Sequence, residues 1–183
     1  VHGMPEGPYA TVAGLVLDGD RVTGVRLADH SEISAATVIV TTGVWTRPLL
    51  APYGIDVPIR AVREQIVMIS PGVQIGHVPV FSDLVSLQYI RPETGGEVLF
   101  GNSDLSHVED ADPDNYLNRA TEAFIDLTVE RVGTRFPGFT GAAISGSYAG
   151  CYDVTPDWNP LISPTDLDGL FGQAPFEHAV GQP

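Results

Sequence analysis

Only one stretch of this 183-residue chain repeats apolar residues at a convincing helical spacing. Between residues 112 and 137, Leu117, Ala120, Phe124 and Leu127 fall on one helical face. Asp112 before Pro113 supplies a cap and a proline suited to a first helical position. Gly133 and Pro137 bracket the end. Most of the remaining sequence is short β-rich runs punctuated by glycine and proline, which number 20 and 15. One long helix among many strands, without strict βαβ alternation, predicts an α+β chain built on a mixed β-sheet.

The strands can be placed in order. "TVAGLVL" (11–17) and "RVTGVRLA" (21–28) flank "DGD", the signal of a tight hairpin. Val38 to Val40 form an apolar, β-branched run, expected to be a parallel strand buried on both faces. Residues 45–50 follow as one short helix, stopped by Pro52 and Gly54. "PIRAVREQIVMI" (58–69) predicts a long strand. "LQYIRP" and "EVLFGN" predict a hairpin closed by "ETGG". "AAISGSYAGCY" predicts a further strand, ending in "YDVTPDWNPLI" (152–162).

Apolar residues make up 43% of the chain, enough for a true core. No apolar run approaches the roughly 18 residues of a membrane span, and no signal peptide is visible. The formal net charge of −14 repels phosphate backbones and argues against nucleic acid as a partner. A single cysteine, Cys151, excludes an intrachain disulfide and a cysteine-based zinc cluster, and fits a reducing, cytoplasmic setting.

Local motifs exclude several chemistries. The five histidines show no metal-ligand spacing, so no metal site is expected. "DADPDN" fails as a calcium loop, because Asn115 stands where the turn glycine belongs and Thr121 where the bidentate glutamate belongs. There is no G-x-S-x-G elbow, no G-x-G-x-x-G and no phosphate-binding loop. "VIVTTGVW", however, runs an apolar strand straight into Thr-Thr-Gly, an end where backbone amides can approach a ligand. Tyr89, Tyr148, Tyr152 and Trp158 fall at strand ends or turns, where aromatics form either core edges or pocket walls.

Four stretches together resemble the D-amino-acid-oxidase-like family of FAD-dependent oxidoreductases, most closely its sarcosine and dimethylglycine oxidase/dehydrogenase branch. They are "RVTGVRLADHSEISAATVIVTTGVWTRPL", "IDVPIRAVREQIVMISPG", "LQYIRPETGGEVLFGNSD" and "SGSYAGCYDVTPDWNPLI", which occur in the family's order. The resemblance implies a partial FAD-binding domain over 1–50, a substrate domain over 51–153 and a return into the FAD-binding domain over 154–183. It implies FAD as cofactor, with Val12, Thr42, Gly43, Trp45, Pro156 and Asp157 beside it. Tyr89 would form a polar wall over the flavin, with Tyr148 and Tyr152 as further catalytic candidates.

The implied reaction is hydride transfer to flavin from the carbon next to the nitrogen of an N-methylated glycine-type amino acid. Where the glycine-oxidase branch carries a carboxylate-binding arginine, this chain has Tyr152, which favours the methylated-glycine branch. The family's N-terminal G-x-G-x-x-G unit is absent from the sequence, and His178 and Gly181 only echo its Gly-x-Ser-Gly-His-Gly loop. The chain therefore reads as a fragment or degenerate member with an incomplete FAD site, expected to be inactive in isolation. Apolar surface bared by missing segments would favour a homo-oligomer. The alternative is a non-catalytic binding or assembly module derived from the same family.

Overall fold

The computed structural model describes residues 10–104 and 108–174. They divide into two compact units. The first takes the chain up to Arg60 and again from Asp153; the second is Ala61–Tyr152. The architecture is α+β, with strands in three sheets and one long helix.

In the first unit, β1 (Val12–Asp18) and β2 (Arg21–Leu27) form the expected antiparallel hairpin, turning at Gly19. β3 (Glu32–Ser34) extends it to three strands. A second sheet orders β11 (Leu161–Pro164), β12 (Leu170–Ala174) and β4 (Val38–Val40), with β4 parallel to β12. Leu15, Val22, Val40, Leu50 and Leu170 make the core, each at most 4% exposed. The expectation of burial on both faces of β4 fails, because Ile39 is 63% exposed. Alternation sends Val38 and Val40 to the core side and Ile39 to the other, beside exposed Phe171 of β12.

After β4 the chain coils through a 3₁₀ turn (Gly43–Trp45) into α1 (Thr46–Leu50). Pro52 does not stop this segment. It sits early in a second 3₁₀ turn (Ala51–Tyr53), where a missing N–H costs nothing, and the turn ends at Gly54.

The second unit is a sheet of β5 (Arg60–Ser70), β6 (Phe81–Asp83), β7 (Gln88–Pro92), β8 (Val98–Asn102), β9 (Glu109–Asp110) and β10 (Ala143–Val154). Its order is β10-β5-β8-β7-β6, with β9 added on β5. Register aligns Val67, Phe100 and Ile90 across three strands. That face packs on α2 (Glu122–Arg135) through Val132 and Phe124 and on Phe136 just beyond the helix, where the Phe100 and Phe136 rings meet edge to face at 5.8 Å. Burying a phenylalanine as fully as Phe100 contributes roughly 2–3 kcal/mol.

The helix starts later than its sequence signal. Thr121 is the N-cap, its Oγ1 accepting from Phe124 N at 3.2 Å. Asp112 instead closes a local turn, its Oδ1 accepting from Asp114 N at 3.0 Å. Leu117 lies outside the helix and Leu127 is exposed; Gly133 lies within the last turns rather than beyond them. Side chains of the sheet hold the segment before the helix. Arg63, 4% exposed, donates to the carbonyls of Leu117 and Arg119 and to Glu109, while Gln65 Oε1 accepts from Thr121 N at 2.8 Å.

Candidate active site

Strand alternation fixes the second face of this sheet. Arg63 and Gln65 engage the segment leading to α2, whereas Glu64 and Met68 alternate onto the opposite side. Register places Met68, Leu99 and Arg91 in one row, and Ile66, Gly101 and Tyr89 in the next. Tyr148 and Tyr152, four residues apart on β10, share one face by the same period. Met68, Arg91, Glu93, Leu99 and Tyr148 line a cavity of about 350 Å³ there.

Gly101 permits the central contact. A Cβ at this position would overlap the Cζ and hydroxyl of Tyr89, so the tyrosine ring lies across β8 where any other residue would stand. Its hydroxyl thereby reaches Tyr152, with which it is hydrogen-bonded. Burial first, then the Tyr152 and Glu64 neighbours, push the Tyr89 phenol far above its ordinary range, so the hydroxyl stays a neutral donor. Glu64 is pushed up to about 7 by burial. Arg91 is tied to Glu93 by a 2.6 Å ion pair on the hairpin turn.

Three of the sequence candidates, Tyr89, Tyr148 and Tyr152, are thus brought onto one face. Glu64 and Arg91 are not among the sequence candidates, although each stands in a stretch that carries the resemblance. Glu64 stands in the Arg-Glu-Gln run, but only the cross-strand register sets it beside Tyr89. Cys151 is partly buried, and burial raises its thiol pKa.

The remaining candidates lie in the first unit. Val12 opens β1 and is 38% exposed. Thr42, Gly43 and Trp45 form the corner after β4, where Thr42 and Thr46 hydroxyls share a 3.0 Å hydrogen bond. Gly43 takes a φ of +54° with nothing within 4 Å of its missing side chain, and Trp45 is 49% exposed. Because β4 and β12 run parallel, their carboxyl ends reach the same edge of the sheet. An open backbone and an exposed indole at such an edge fit a flat ring system; no phosphate cradle is encoded in these 183 residues. Pro156 and Asp157 form the turn before β11, with Asp157 Oδ1 accepting from the Thr155 hydroxyl and from Asn159 N, both at 3.2 Å. His178 and Gly181 lie outside the described residues.

Among the described residues no three His, Cys, Asp or Glu side chains cluster as metal ligands, and no helix is long and apolar enough to cross a membrane.

Comparison with known proteins gives consistent relatives. D-amino acid dehydrogenase of Xanthobacter autotrophicus is 30% identical over 168 residues, covering 88% of this chain and 37% of that protein. Sarcosine oxidase subunit beta of Rhodobacter capsulatus is 26% identical, covering 92% and 39%. The chain thus spans well under half the length of these curated relatives. Among solved structures, L-proline dehydrogenase from P. horikoshii shares the fold with a TM-score of 0.78 at 23% identity, over 92% of this chain and 44% of that one. Glycine oxidase from Geobacillus kaustophilus does so with a TM-score of 0.73 at 21% identity, over 91% and 42%. The family model for DAO, FAD dependent oxidoreductase, matches residues 8–181, and the chain belongs to that family.

Proposed function

We propose that this chain forms the amine-binding part of an FAD-dependent oxidoreductase acting on the C–N bond of an N-methylated glycine-type amino acid. The observation that carries the reading is the Tyr89–Tyr152 hydroxyl pair beside Glu64, on the sheet face away from α2. The two hydroxyls satisfy one another, and their remaining hydrogen-bonding capacity is free to meet a ligand on this face. A pair of fixed hydroxyls beside a carboxyl suits a polar small molecule such as an amino acid.

Bound FAD would supply the hydride acceptor for the carbon next to the amine nitrogen. Thr42, Gly43 and Trp45 would hold its ring edge, the backbone at Val12 its adenine, and the Pro156–Asp157 turn would flank it. Tyr89 stays protonated and offers a fixed hydroxyl to the substrate. Met68 and Leu99, one row along the same face, offer apolar surface suited to N-methyl groups. Tyr148, 46% exposed, stands at the cavity mouth. Fixing the orientation of the substrate is the main service such a wall performs.

The test is turnover by the protein that carries this chain, loaded with FAD, on sarcosine, N,N-dimethylglycine, glycine and D-alanine. The reading expects the highest kcat/KM with the methylated substrates. Turnover of glycine or D-alanine alone would move the substrate class, and no turnover of any amine would favour the non-catalytic module.

A further inference from the structure

We infer that Glu64 is the group that binds the substrate's ammonium and takes its proton before oxidation. The inference rests on the amine-oxidoreductase reading and adds a residue and a step to it. An N-methyl amino acid reaches the protein as the ammonium form, whose nitrogen has no lone pair to assist loss of hydride. A base must sit where that nitrogen binds, or the neutral amine must be drawn from a small fraction in solution; a carboxylate also pairs with the ammonium charge.

Glu64 meets the geometric requirement. It lies on the long strand β5, two residues before Ile66. Ile66 is opposite Gly101, and Gly101 is opposite Tyr89, so this row and Glu64, two residues along β5, lie on one face. The missing side chain at Gly101 lets the Tyr89 ring cross toward β5, close enough for Glu64 to perturb the phenol. Tyr89 of β7 stands beside this carboxyl, with Tyr152 and Tyr148 of β10 next to that phenol; Arg91 lies farther along, in the Met68–Leu99 row, and Arg60 shares the face at the start of β5. Arg91 is already occupied by Glu93, and Arg63 is turned to the other side by Leu117, Arg119 and Glu109. Glu64 is a half-buried carboxyl beside the Tyr89 phenol, and among the described residues burial alone, not a charged neighbour, shifts it. A substrate ammonium supplies an opposite charge.

The step balances simply. One N–H bond of the ammonium breaks, an O–H bond forms on Glu64, and the nitrogen recovers its lone pair. No electrons leave the pair of molecules. Burial holds the carboxyl near the pH at which a base is both ionised enough to accept and basic enough to retain a proton.

The experiment has two arms. In the first, isotope-edited NMR follows the Glu64 carboxyl with pH, assigned by its loss in Glu64→Gln, with and without sarcosine. The inference expects a midpoint near 7 that falls when sarcosine binds; a midpoint unmoved by saturating sarcosine overturns it. In the second, kcat/KM for sarcosine is measured against pH in the FAD-loaded protein. The native protein should lose rate as pH drops below about 7. Glu64→Gln should lose that limb, fall by roughly 10²-fold or more at neutral pH, and regain rate as pH rises toward the pKa of the free amine. Glu64→Asp should restore part of the native limb. Persistence of the native limb in Glu64→Gln overturns the inference. A midpoint that shifts with sarcosine in a protein that oxidises nothing would leave ammonium binding intact and remove the oxidase reading instead.

Discussion

The ring of Tyr89 occupies the volume that a side chain at Gly101 would fill. The two residues are opposite one another on β7 and β8, so the site depends on a vacancy in the middle strand as much as on the tyrosine. Gly101→Ala should turn the ring away and break its hydrogen bond to Tyr152. Because the obstructing atoms belong to a side chain and not to backbone, the fold should survive with a modest loss, roughly 1–3 kcal/mol. Amine oxidation should fall at least tenfold. Combined with Tyr89→Phe, the losses should be far from additive, which a double-mutant cycle on kcat/KM measures.

Stability should depend on pH through Glu64. Its carboxyl is raised from an ordinary value of 4.5 to about 7 in the folded chain. Between those values the folded state holds more protons than the unfolded one, so stability declines as pH rises through the window and levels off above about 7. The size of the shift corresponds to roughly 3 kcal/mol. Glu64→Gln should flatten this dependence and raise the urea midpoint at pH 8, the opposite of what the variant does to activity.

Arg63 should matter to stability without touching the proposed substrate face. Its guanidinium joins Glu109 to the carbonyls of Leu117 and Arg119, at 4% exposure. Arg63→Met leaves those acceptors short of a donor and should cost about 2–4 kcal/mol. Arg63→Lys should recover little, since one ammonium cannot reproduce the planar fork. Denaturant unfolding gives the cost. Hydrogen exchange at the α2 N-terminus should show the first loss of protection.

The strands were legible because their signals are local. The Asp-Gly turn after β1 and the Glu93–Gly96 turn between β7 and β8 carry their own chemistry, and both hairpins form where that chemistry sits. The start of α2 was misread for the opposite reason. Asp112 and Pro113 mimic a helix cap, but that carboxylate is used in its own turn. The true start is fixed by Gln65 and Arg63, more than fifty residues earlier in the chain. Glu64 escaped notice likewise: its place beside Tyr89 depends on register across β5, β8 and β7, which no short stretch encodes.

The 183-residue chain alone should hold FAD weakly. The corner at Thr42–Gly43 can meet a ring, but nothing in the sequence supplies the glycine-rich helix N-terminus that cradles a pyrophosphate. After incubation with FAD and gel filtration it should emerge colourless. A yellow chain with near-stoichiometric flavin absorbance would refute this.

The most direct measurement is anaerobic reduction of the flavin by sarcosine, in the FAD-loaded protein that carries this chain, followed by stopped-flow absorbance. It isolates the step for which the Tyr89 face is proposed and is independent of the electron acceptor. The native protein should bleach, and Tyr89→Phe should bleach at least tenfold more slowly, a loss of about 1.4 kcal/mol of transition-state stabilisation. Equal rates in the two proteins would mean that the face around Tyr89, Tyr152 and Glu64 is not where the amine is oxidised.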